Sequence, residues 1–333
     1  MKLVFICTNY GSIKCGIGMY TLNLVEELRK ESNLEVDVIS VNTFNLKKIK
    51  KIFNIKLLKE INKYKIRNRE IKDKKIDFVI EYPFMDWSIF NIMKILWLKK
   101  TFKNSNIILS IHEYYRVNYF RKKIIEVLIK NSDSFIITDN KLKDILPEKP
   151  IIFRSIPSNI KKIDFNPPIE KKENEYCYFG LINKSKAFNE MIEAWKEFNK
   201  EKKNNLNVYT ASDVYIENSE NYNIKIFKEL DNIELSKELQ KNKYMILPIK
   251  PYIDENNGSF KAALEHGCIP IGRFCYEIKE LGINLEEEYT VKNLEDLLKK
   301  SIKLKKNNRD LILKYLQKNS FKCIAQNILN KSR

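Results

Sequence analysis

The chain has 333 residues, which is too many for one small core and fits two domains of roughly 150 residues each. With 44% hydrophobic and 31% charged residues, the composition excludes a disordered chain. The net charge of +18 is uneven, because residues 44–75 contain 13 Lys and Arg against 3 Asp and Glu, whereas residues 166–333 contribute only +4. We therefore expect the first half to face an anionic partner: a membrane surface, a phosphate-bearing acceptor or nucleic acid. A sequence-wide bias toward Lys, Ile and Asn is the alternative explanation.

The start of the chain and its thiols predict a cytoplasmic protein. The apolar run Leu3–Cys7 is too short for the core of a signal peptide, and no window approaches the ~20 apolar residues of a membrane span. The six cysteines form no C-x-x-C pair, and the chain has only two histidines, His112 and His266. We therefore expect reduced thiols and no metal site.

Short apolar strands alternate with helical patterns along the chain, which predicts parallel βαβ units. The alternation breaks at residues 163–175, where two prolines and a charged run predict a linker. The sequence therefore predicts an α/β protein with two doubly wound, Rossmann-like domains facing a cleft, followed by C-terminal helices. Predicted strands are Lys2–Cys7, Glu35–Val41, Asp77–Tyr82, Ile107–Ile111, Ser134–Thr138 and Ile151–Phe153, then Tyr176–Gly180, Leu206–Thr210, Asn223–Phe227, Tyr244–Leu247 and Ile269–Ile271.

A glycine-containing loop follows the first strand. Gly16 and Gly18 open a helix, where glycine lets the backbone approach a ligand and the helix N-terminus favours negative charge. The dinucleotide pattern G-x-G-x-x-G fails, because Thr21 stands at its third glycine. The second strand also ends at Asn42 without the acid that holds a ribose, so a nicotinamide cofactor is not expected. A plain tight turn would explain the same glycines.

A histidine, His112, follows the fourth predicted strand directly and precedes Glu113. At the carboxyl end of a strand, a histidine can donate a hydrogen bond to a sugar hydroxyl or a leaving phosphate. A histidine satisfied within the core is the alternative.

The second half contains two segments suited to phosphate. Lys184 and Lys186 follow the strand Tyr176–Gly180 and offer positive charge, unless both are solvated surface residues. Residues 247–271 form a strand, a proline-containing loop, a helix and a new strand. Gly258 and Ser259 open that helix, with Ser259 as its expected cap, and the free amides there suit a diphosphate.

Taken in order, these motifs resemble the GT-B glycosyltransferases of family 4, and the resemblance covers most of the chain. Cys15 stands where that family has the first glycine of G-G-x-G, Leu181 where it has an arginine, and Ala262 where it has the second acid of its E-x7-E motif. The resemblance implies a nucleotide-sugar donor held mainly by the second domain. The implied catalytic residues are His112 and Asp254, and the implied donor-binding residues are Gly16, Gly18, Lys184, Lys186, Asn257, Gly258, Ser259 and Glu265.

The predicted function is transfer of a sugar from the nucleotide sugar to a glycan or lipid-linked acceptor in cell-surface polysaccharide biosynthesis. The resemblance implies a retaining reaction without metal or cofactor, because helix amides and lysines neutralise the diphosphate. It also implies domains over 1–165 and 166–315, with a last helix over 316–333 that crosses back to the first. Two alternatives stay open, a nucleotide-sugar 2-epimerase of the same fold and a non-enzymatic nucleic-acid-binding protein, although no nucleic-acid recognition motif is present.

The basic stretch over residues 44–75 predicts an amphipathic helix. Lysines fill the positions between apolar residues that recur at helical spacing, as in helices that lie on anionic membranes. We therefore expect peripheral docking at the inner membrane face. The alternative is that the apolar stripe packs on the protein's own sheet. The stripe comprises Leu46, Ile49, Phe53, Leu57, Ile61 and Tyr64.

Overall fold

The structure is a computed structural model, and it describes the chain except residues 13–14, 43–55, 69, 71–74, 83–88, 116, 202, 304–308 and 333. It divides into two units by internal contacts. The first comprises Met1–Ser155 with Asn319–Arg333, and the second comprises Ile156–Lys318. The sequence instead places the boundaries at 165–166 and 315–316. In the described part of the chain, no helix is long and apolar enough to span a membrane.

The first unit is built on a six-stranded parallel sheet. Its strands are β1 (Lys2–Thr8), β2 (Glu35–Val41), β3 (Ile76–Tyr82), β4 (Ser105–Ile111), β5 (Ser134–Ile137) and β6 (Ile151–Phe153). They lie in the order β2-β1-β3-β4-β5-β6. Every residue of β3 is buried, so both faces of the sheet are covered at this central strand.

The helices that follow these strands supply the other half of the core. They are α1 (Gly16–Leu28), α2 (Lys56–Arg67), α3 (Ile89–Thr101) and α4 (Tyr119–Asn131). On α2, Leu57 and Ile61 are buried in the core and Tyr64 packs against it, so this part of the apolar stripe faces the protein itself. The other stripe residues, Leu46, Ile49 and Phe53, lie outside the described residues.

The second unit repeats the same plan. Its strands are β7 (Lys172–Phe179), β8 (Asn205–Tyr209), β9 (Ile224–Phe227), β10 (Asn242–Leu247), β11 (Ile269–Gly272) and β12 (Ile283–Asn284), in the order β12-β11-β10-β7-β8-β9. All pairings are parallel. Its helices are α5 (Phe188–Phe198), α6 (Asn232–Lys241), α7 (Gly258–Glu265), α8 (Val291–Lys303) and α9 (Arg309–Lys318).

The last helix, α10 (Phe321–Ser332), belongs to the first unit and packs on α1. The ring of Phe321 lies 5.3 Å from that of Tyr20 on α1. The chain therefore passes from one unit to the other twice, after Ser155 and after Lys318.

Among the strands, β7 and β12 differ most from the sequence prediction. Residues Lys172–Glu175, read as part of a linker, form the first half of β7. The first three of them are exposed, so this end of the strand carries the polar side chains that are typical of linkers. Strand β12 is not predicted, because two residues are too short to produce a pattern.

Candidate functional site

The order of the second sheet contains a topological switch point between β7 and β10. The chain runs outward from β7 to β8 and β9 and then returns to form β10 on the other side of β7. In open α/β sheets, ligands bind beyond the carboxyl ends of the strands at such a point. The loop after β7, which contains Lys186, and the loop between β10 and α7, which leads into the helix at Gly258, both lie there.

Helix α7 begins at this edge of the sheet. Asn257, rather than Ser259 as predicted, is its N-cap, because the Asn257 side chain accepts a hydrogen bond from the amide of Phe260 at 3.0 Å. Gly258 is the first helical residue and is exposed, and a Cβ added to it would meet no atom within 4 Å. The amides of this helical turn, together with the positive end of the helix dipole, form a site suited to an anion.

Gly180 brings the loop after β7 against this helix start. Its φ of +141° lies in a region that side-chain-bearing residues rarely adopt, and a Cβ here would lie 3.0 Å from Ser259 Oγ. The loop after β7 therefore packs against the Ser259 side chain in the first turn of α7, with little room for a side chain at position 180. The hydroxyl of Ser259 faces Gly180.

Lys186 lies on the same loop, which is hydrogen-bonded to the segment after β10. The amide of Ala187 donates to the carbonyl of Pro248 at 2.7 Å, and the amide of Lys250 donates to the carbonyl of Ser185 at 2.9 Å. Burial lowers the pKa of the Lys186 amine, since desolvation penalises its charged form. No carboxylate pairs with Lys186 among the described residues, so a bound anion would offset this cost. Lys184, two residues earlier, is exposed.

The loop that precedes α7 carries Asp254. Its carboxylate accepts a hydrogen bond from the amide of Asn256 at 3.0 Å, and its carbonyl accepts one from the amide of Asn257 at 3.2 Å, which shapes the entry to the helix. Lys261, the fourth residue of α7, is a buried lysine that was not predicted as a site residue. Burial lowers the pKa of Lys261 to about 7, the nearby charges of Glu255 and Asp254 oppose that shift, and its amine donates to Tyr315 Oη at 2.5 Å.

The structure does not bring Glu265 to the start of α7. It is the last residue of this eight-residue helix, so it lies about 10 Å along the axis from Gly258. Burial raises the pKa of its carboxyl, an effect that Lys162 partly opposes. A donor contact of Glu265 stays a prediction, and it would reach a part of the ligand remote from the helix start.

In the first unit, the glycine loop is held mainly by packing. Gly18 is buried, and a Cβ added to it would lie 2.0 Å from the backbone oxygen of Asn9. Cys15 is the N-cap of α1, and its sulfur accepts a hydrogen bond from the Gly18 amide at 3.3 Å. Gly16 is exposed at the first position of the helix. Close packing thus accounts for Gly18, and the donor role of both glycines stays a prediction.

His112 lies in a buried polar cluster at the ends of the central strands. Its Nε2 is 2.6 Å from Oε2 of Glu81, and the two side chains are 3% and 0% exposed. Ser110 and Arg154 complete the cluster, with Arg154 Nη2 donating to Ser110 Oγ at 2.6 Å. Atoms of Glu81, Arg154 and Tyr20 are buried without a hydrogen-bond partner among the described residues. Buried polar atoms without a hydrogen-bond partner lower the stability of the fold, and they are typical of functional sites.

His112 was predicted from the sequence, but Glu81 and Arg154 were not. Glu81 was visible as an acid inside the apolar strand IDFVIEY, and Arg154 directly follows the short strand β6. Neither belongs to a recognisable motif, and they lie 31 and 42 residues from His112. Across the described residues, no group of three His, Cys, Asp or Glu is placed to hold a metal ion.

No family model matches the sequence, and no curated protein matches it either. Solved structures do match. The pneumococcal O-GlcNAc transferase GtfA, solved with UDP and GlcNAc, superposes with a TM-score of 0.64 and 10% identity, covering 99% of this chain and 98% of that chain. The fold is that of the GT-B glycosyltransferases. The predicted fold class, an α/β protein with two Rossmann-like sheets, is therefore confirmed.

Other similar structures differ in activity. An alpha-glucosyltransferase solved with UDP-glucose and DNA containing an abasic site has a TM-score of 0.59 and 13% identity, covering 96% of this chain and 94% of that one. A UDP-N-acetylglucosamine 2-epimerase has a TM-score of 0.54 and 13% identity, covering 96% and 91%. This chain covers 59% of the matched chain from the GtfA/B complex. At sequence identities this low, structural similarity shows only that the fold is shared. Membership of family 4 therefore stays a prediction.

Proposed function

We propose that this protein is a glycosyltransferase that takes its sugar from a nucleotide-sugar donor, with a UDP-sugar as the first candidate. The observation that carries the proposal is the start of α7 at the switch point of the second sheet. There Gly258 and Ser259 offer free helix amides, Gly180 packs against Ser259, and the partly buried Lys186 lacks a counter-ion among the described residues. Two of the similar structures were solved with UDP-glucose or UDP, which supports this choice of donor.

In this proposal the second unit neutralises the charge that develops on the leaving diphosphate. The amides of α7 and the amine of Lys186 are fixed donors, and such preorganised groups stabilise a leaving phosphate without a metal ion. His112 and Asp254 contact the transferred sugar and position it. We expect retention of the anomeric configuration, as the resemblance implies.

Loss of Lys186 tests the donor site. We expect Lys186→Ala to weaken UDP binding by ~1–3 kcal/mol, the cost of a lost hydrogen bond to a charged group. Lys250→Ala is the matched control, because Lys250 is already paired with Glu190 at 2.7 Å. Isothermal titration calorimetry with UDP measures both. Equal affinity of Lys186→Ala and the parent protein would remove Lys186 from the donor site.

A 2-epimerase is the second candidate, supported by the similarity to UDP-N-acetylglucosamine 2-epimerase. An epimerase needs no acceptor, so it leaves the basic first half unexplained. The test is incubation with a panel of nucleotide sugars, with and without lipid-linked and glycan acceptors, followed by mass spectrometry and NMR of the products. Transfer or donor hydrolysis supports a transferase, and an inverted C2 centre on the intact nucleotide sugar supports an epimerase. No turnover, together with DNA binding, would favour the nucleic-acid alternative.

We propose further that the acceptor is lipid-linked and reached at the inner membrane face. Ile66 of α2 and Met93 and Trp97 of α3 are large apolar residues that stay exposed. Two lysine amines lie close to the Trp97 ring, those of Lys65 and Lys94 at 3.8 Å and 4.0 Å from its centre. Exposed aromatic residues flanked by lysines are typical of surfaces that bind anionic lipid, because the ring enters the headgroup region while the amines meet phosphate.

Membrane docking predicts a salt-sensitive interaction. We expect the protein to sediment with liposomes that contain anionic lipid at low salt and to be released at about 1 M salt, where the Debye length is about 3 Å. Trp97→Ala should weaken binding about tenfold, or ~1.4 kcal/mol. Tyr276→Ala is the matched control, since it removes an exposed ring with a lysine, Lys279, 4.4 Å away in the second unit. A protein that stays in the supernatant at low salt would contradict docking.

A further inference from the structure

The buried cluster around His112 fixes one nitrogen of its imidazole ring. Three polar groups approach Nε2: Glu81 Oε2 at 2.6 Å, Ser110 Oγ at 3.4 Å and Arg154 Nη2 at 3.4 Å. Glu81 lies near the carboxyl end of β3, Ser110 near that of β4, and Arg154 directly after β6. The cluster is therefore assembled by three strands of one sheet.

Donor and acceptor chemistry determines where the ring proton lies. A guanidinium can only donate, and an ionised carboxylate can only accept. The Ser110 hydroxyl donates to Glu81 Oε2 at 2.5 Å and accepts from Arg154 Nη2 at 2.6 Å, so its proton is not available to the imidazole. The Glu81 contact with Nε2, at 2.6 Å, is much shorter than the Arg154 contact at 3.4 Å, so with an ionised Glu81 the proton lies on Nε2. In the neutral ring, Nδ1 is then a bare acceptor.

Arg154 maintains the charge balance and the orientation of the ring. Its Nη2 is 3.6 Å from Glu81 Oε2, which compensates the buried carboxylate. Burial lowers the pKa of Arg154 to about 9, so its guanidinium stays protonated at neutral pH. The same group lies 4.2 Å from the centre of the Tyr20 ring, which meets the imidazole of His112 edge-on at 5.0 Å.

We propose that Glu81 and Arg154 are positioning residues that hold His112 as the Nε2–H tautomer and leave Nδ1 as a hydrogen-bond acceptor for the substrate. The substrate group at Nδ1 is then a donor, a sugar hydroxyl or an amide N–H, and not a phosphate oxygen, which can only accept. The catalytic consequence rests on the proposed transferase function. The tautomer itself does not, because it follows from the contacts within the first unit.

The two histidines of the chain make the tautomer directly measurable. In the 333-residue chain labelled with ¹⁵N-histidine, ¹H–¹⁵N NMR shows only His112 and His266, and His112→Gln assigns them. His266 is an internal reference with the opposite tautomer. Its Nδ1 lies 2.8 Å from the carbonyl oxygen of Ala262, which can only accept a hydrogen bond. Burial lowers the pKa of His266 to about 4, so its ring is neutral at neutral pH. We expect His112 as Nε2–H and His266 as Nδ1–H at neutral pH. A His112 ring protonated at Nδ1, alone or together with Nε2, would overturn the proposal.

Kinetics then connect the tautomer to turnover. Glu81→Gln keeps the size of the side chain but removes its charge, and we expect kcat to fall at least tenfold while the KM for the donor and UDP affinity stay unchanged. Asp77→Asn is the matched control, because Asp77 is a buried carboxylate on the same strand that bonds Asn106 of β4 at 2.8 Å, and it should leave kcat unchanged.

The outcomes separate this proposal from the proposed function. The Nε2–H tautomer without turnover of any nucleotide sugar would sink the transferase assignment and leave the positioning of His112 intact. Full transferase activity in Glu81→Gln, or equal losses in Glu81→Gln and Asp77→Asn, would overturn the positioning role. If Glu81→Gln does not fold, Arg154→Lys takes its place in the kinetic test, because it retains the positive charge. The NMR measurement on the parent protein then decides whether His112 is the Nε2–H tautomer.

Discussion

Replacement of His112 by Ala is expected to lower turnover by about 10²-fold or more. The imidazole is the only group of the buried cluster that the proposal places against the sugar, and its ring is held by Glu81 on one side and Tyr20 on another. A side chain fixed in this way contributes to the transition state without reorganisation, so its loss should lower kcat more than it raises KM.

The measurement is steady-state transfer with the donor identified by the nucleotide-sugar panel. UDP affinity is the internal control, since the proposed phosphate contacts, Gly258 and Lys186, belong to the second unit and should be unaffected. Circular dichroism establishes that the variant is folded. Near-normal turnover in a folded His112→Ala protein would show that the histidine is structural, which is the alternative that the sequence left open.

The architecture could be predicted from the sequence because its signals are local. Each buried strand of the first sheet is a short apolar run, and β2 and β6 begin and end at the predicted residues. Where the local signal is weak, the prediction was wrong. The polar, exposed start of β7 was read as a linker, and the cap of α7 was assigned to Ser259 when Asn257, two residues earlier, makes the capping hydrogen bond.

The site was harder to predict because its partners are distant in sequence. Glu81 and His112 are 31 residues apart, and only the parallel register of β3 and β4, in which Glu81 pairs with Ser110, brings them together. A sequence shows that a histidine follows a strand, but it does not show which carboxylate lies beneath it. Glu265 illustrates the same limit, since its position at the far end of α7 depends on where the helix begins.

Gly18→Ala is expected to reduce the stability of the first unit by about 3 kcal/mol, at the upper end of the cost of overpacking. The added Cβ would lie 2.0 Å from the carbonyl oxygen and 2.8 Å from the carbonyl carbon of Asn9. This backbone has little freedom to move. The carbonyl of Asn9 accepts a hydrogen bond from the amide of Ser12 at 3.1 Å, and the amide of Asn9 donates one to the carbonyl of Val41 at 2.9 Å. The amide of Gly11 also donates to the carbonyl of Gly18 at 3.1 Å.

Thermal denaturation followed by circular dichroism measures the effect, and Gly258→Ala is the matched control. It adds the same methyl group to the first turn of another helix, where nothing lies within 4 Å, so its melting temperature should stay near that of the parent protein. A loss of ~3 kcal/mol in one domain of about 150 residues corresponds to a decrease of roughly 6–12 °C. Equal melting temperatures for the two variants would show that the loop after β1 can move away from α1. Close packing would then no longer account for a glycine at position 18. The donor role predicted for Gly16 and Gly18 would be the remaining explanation for that glycine.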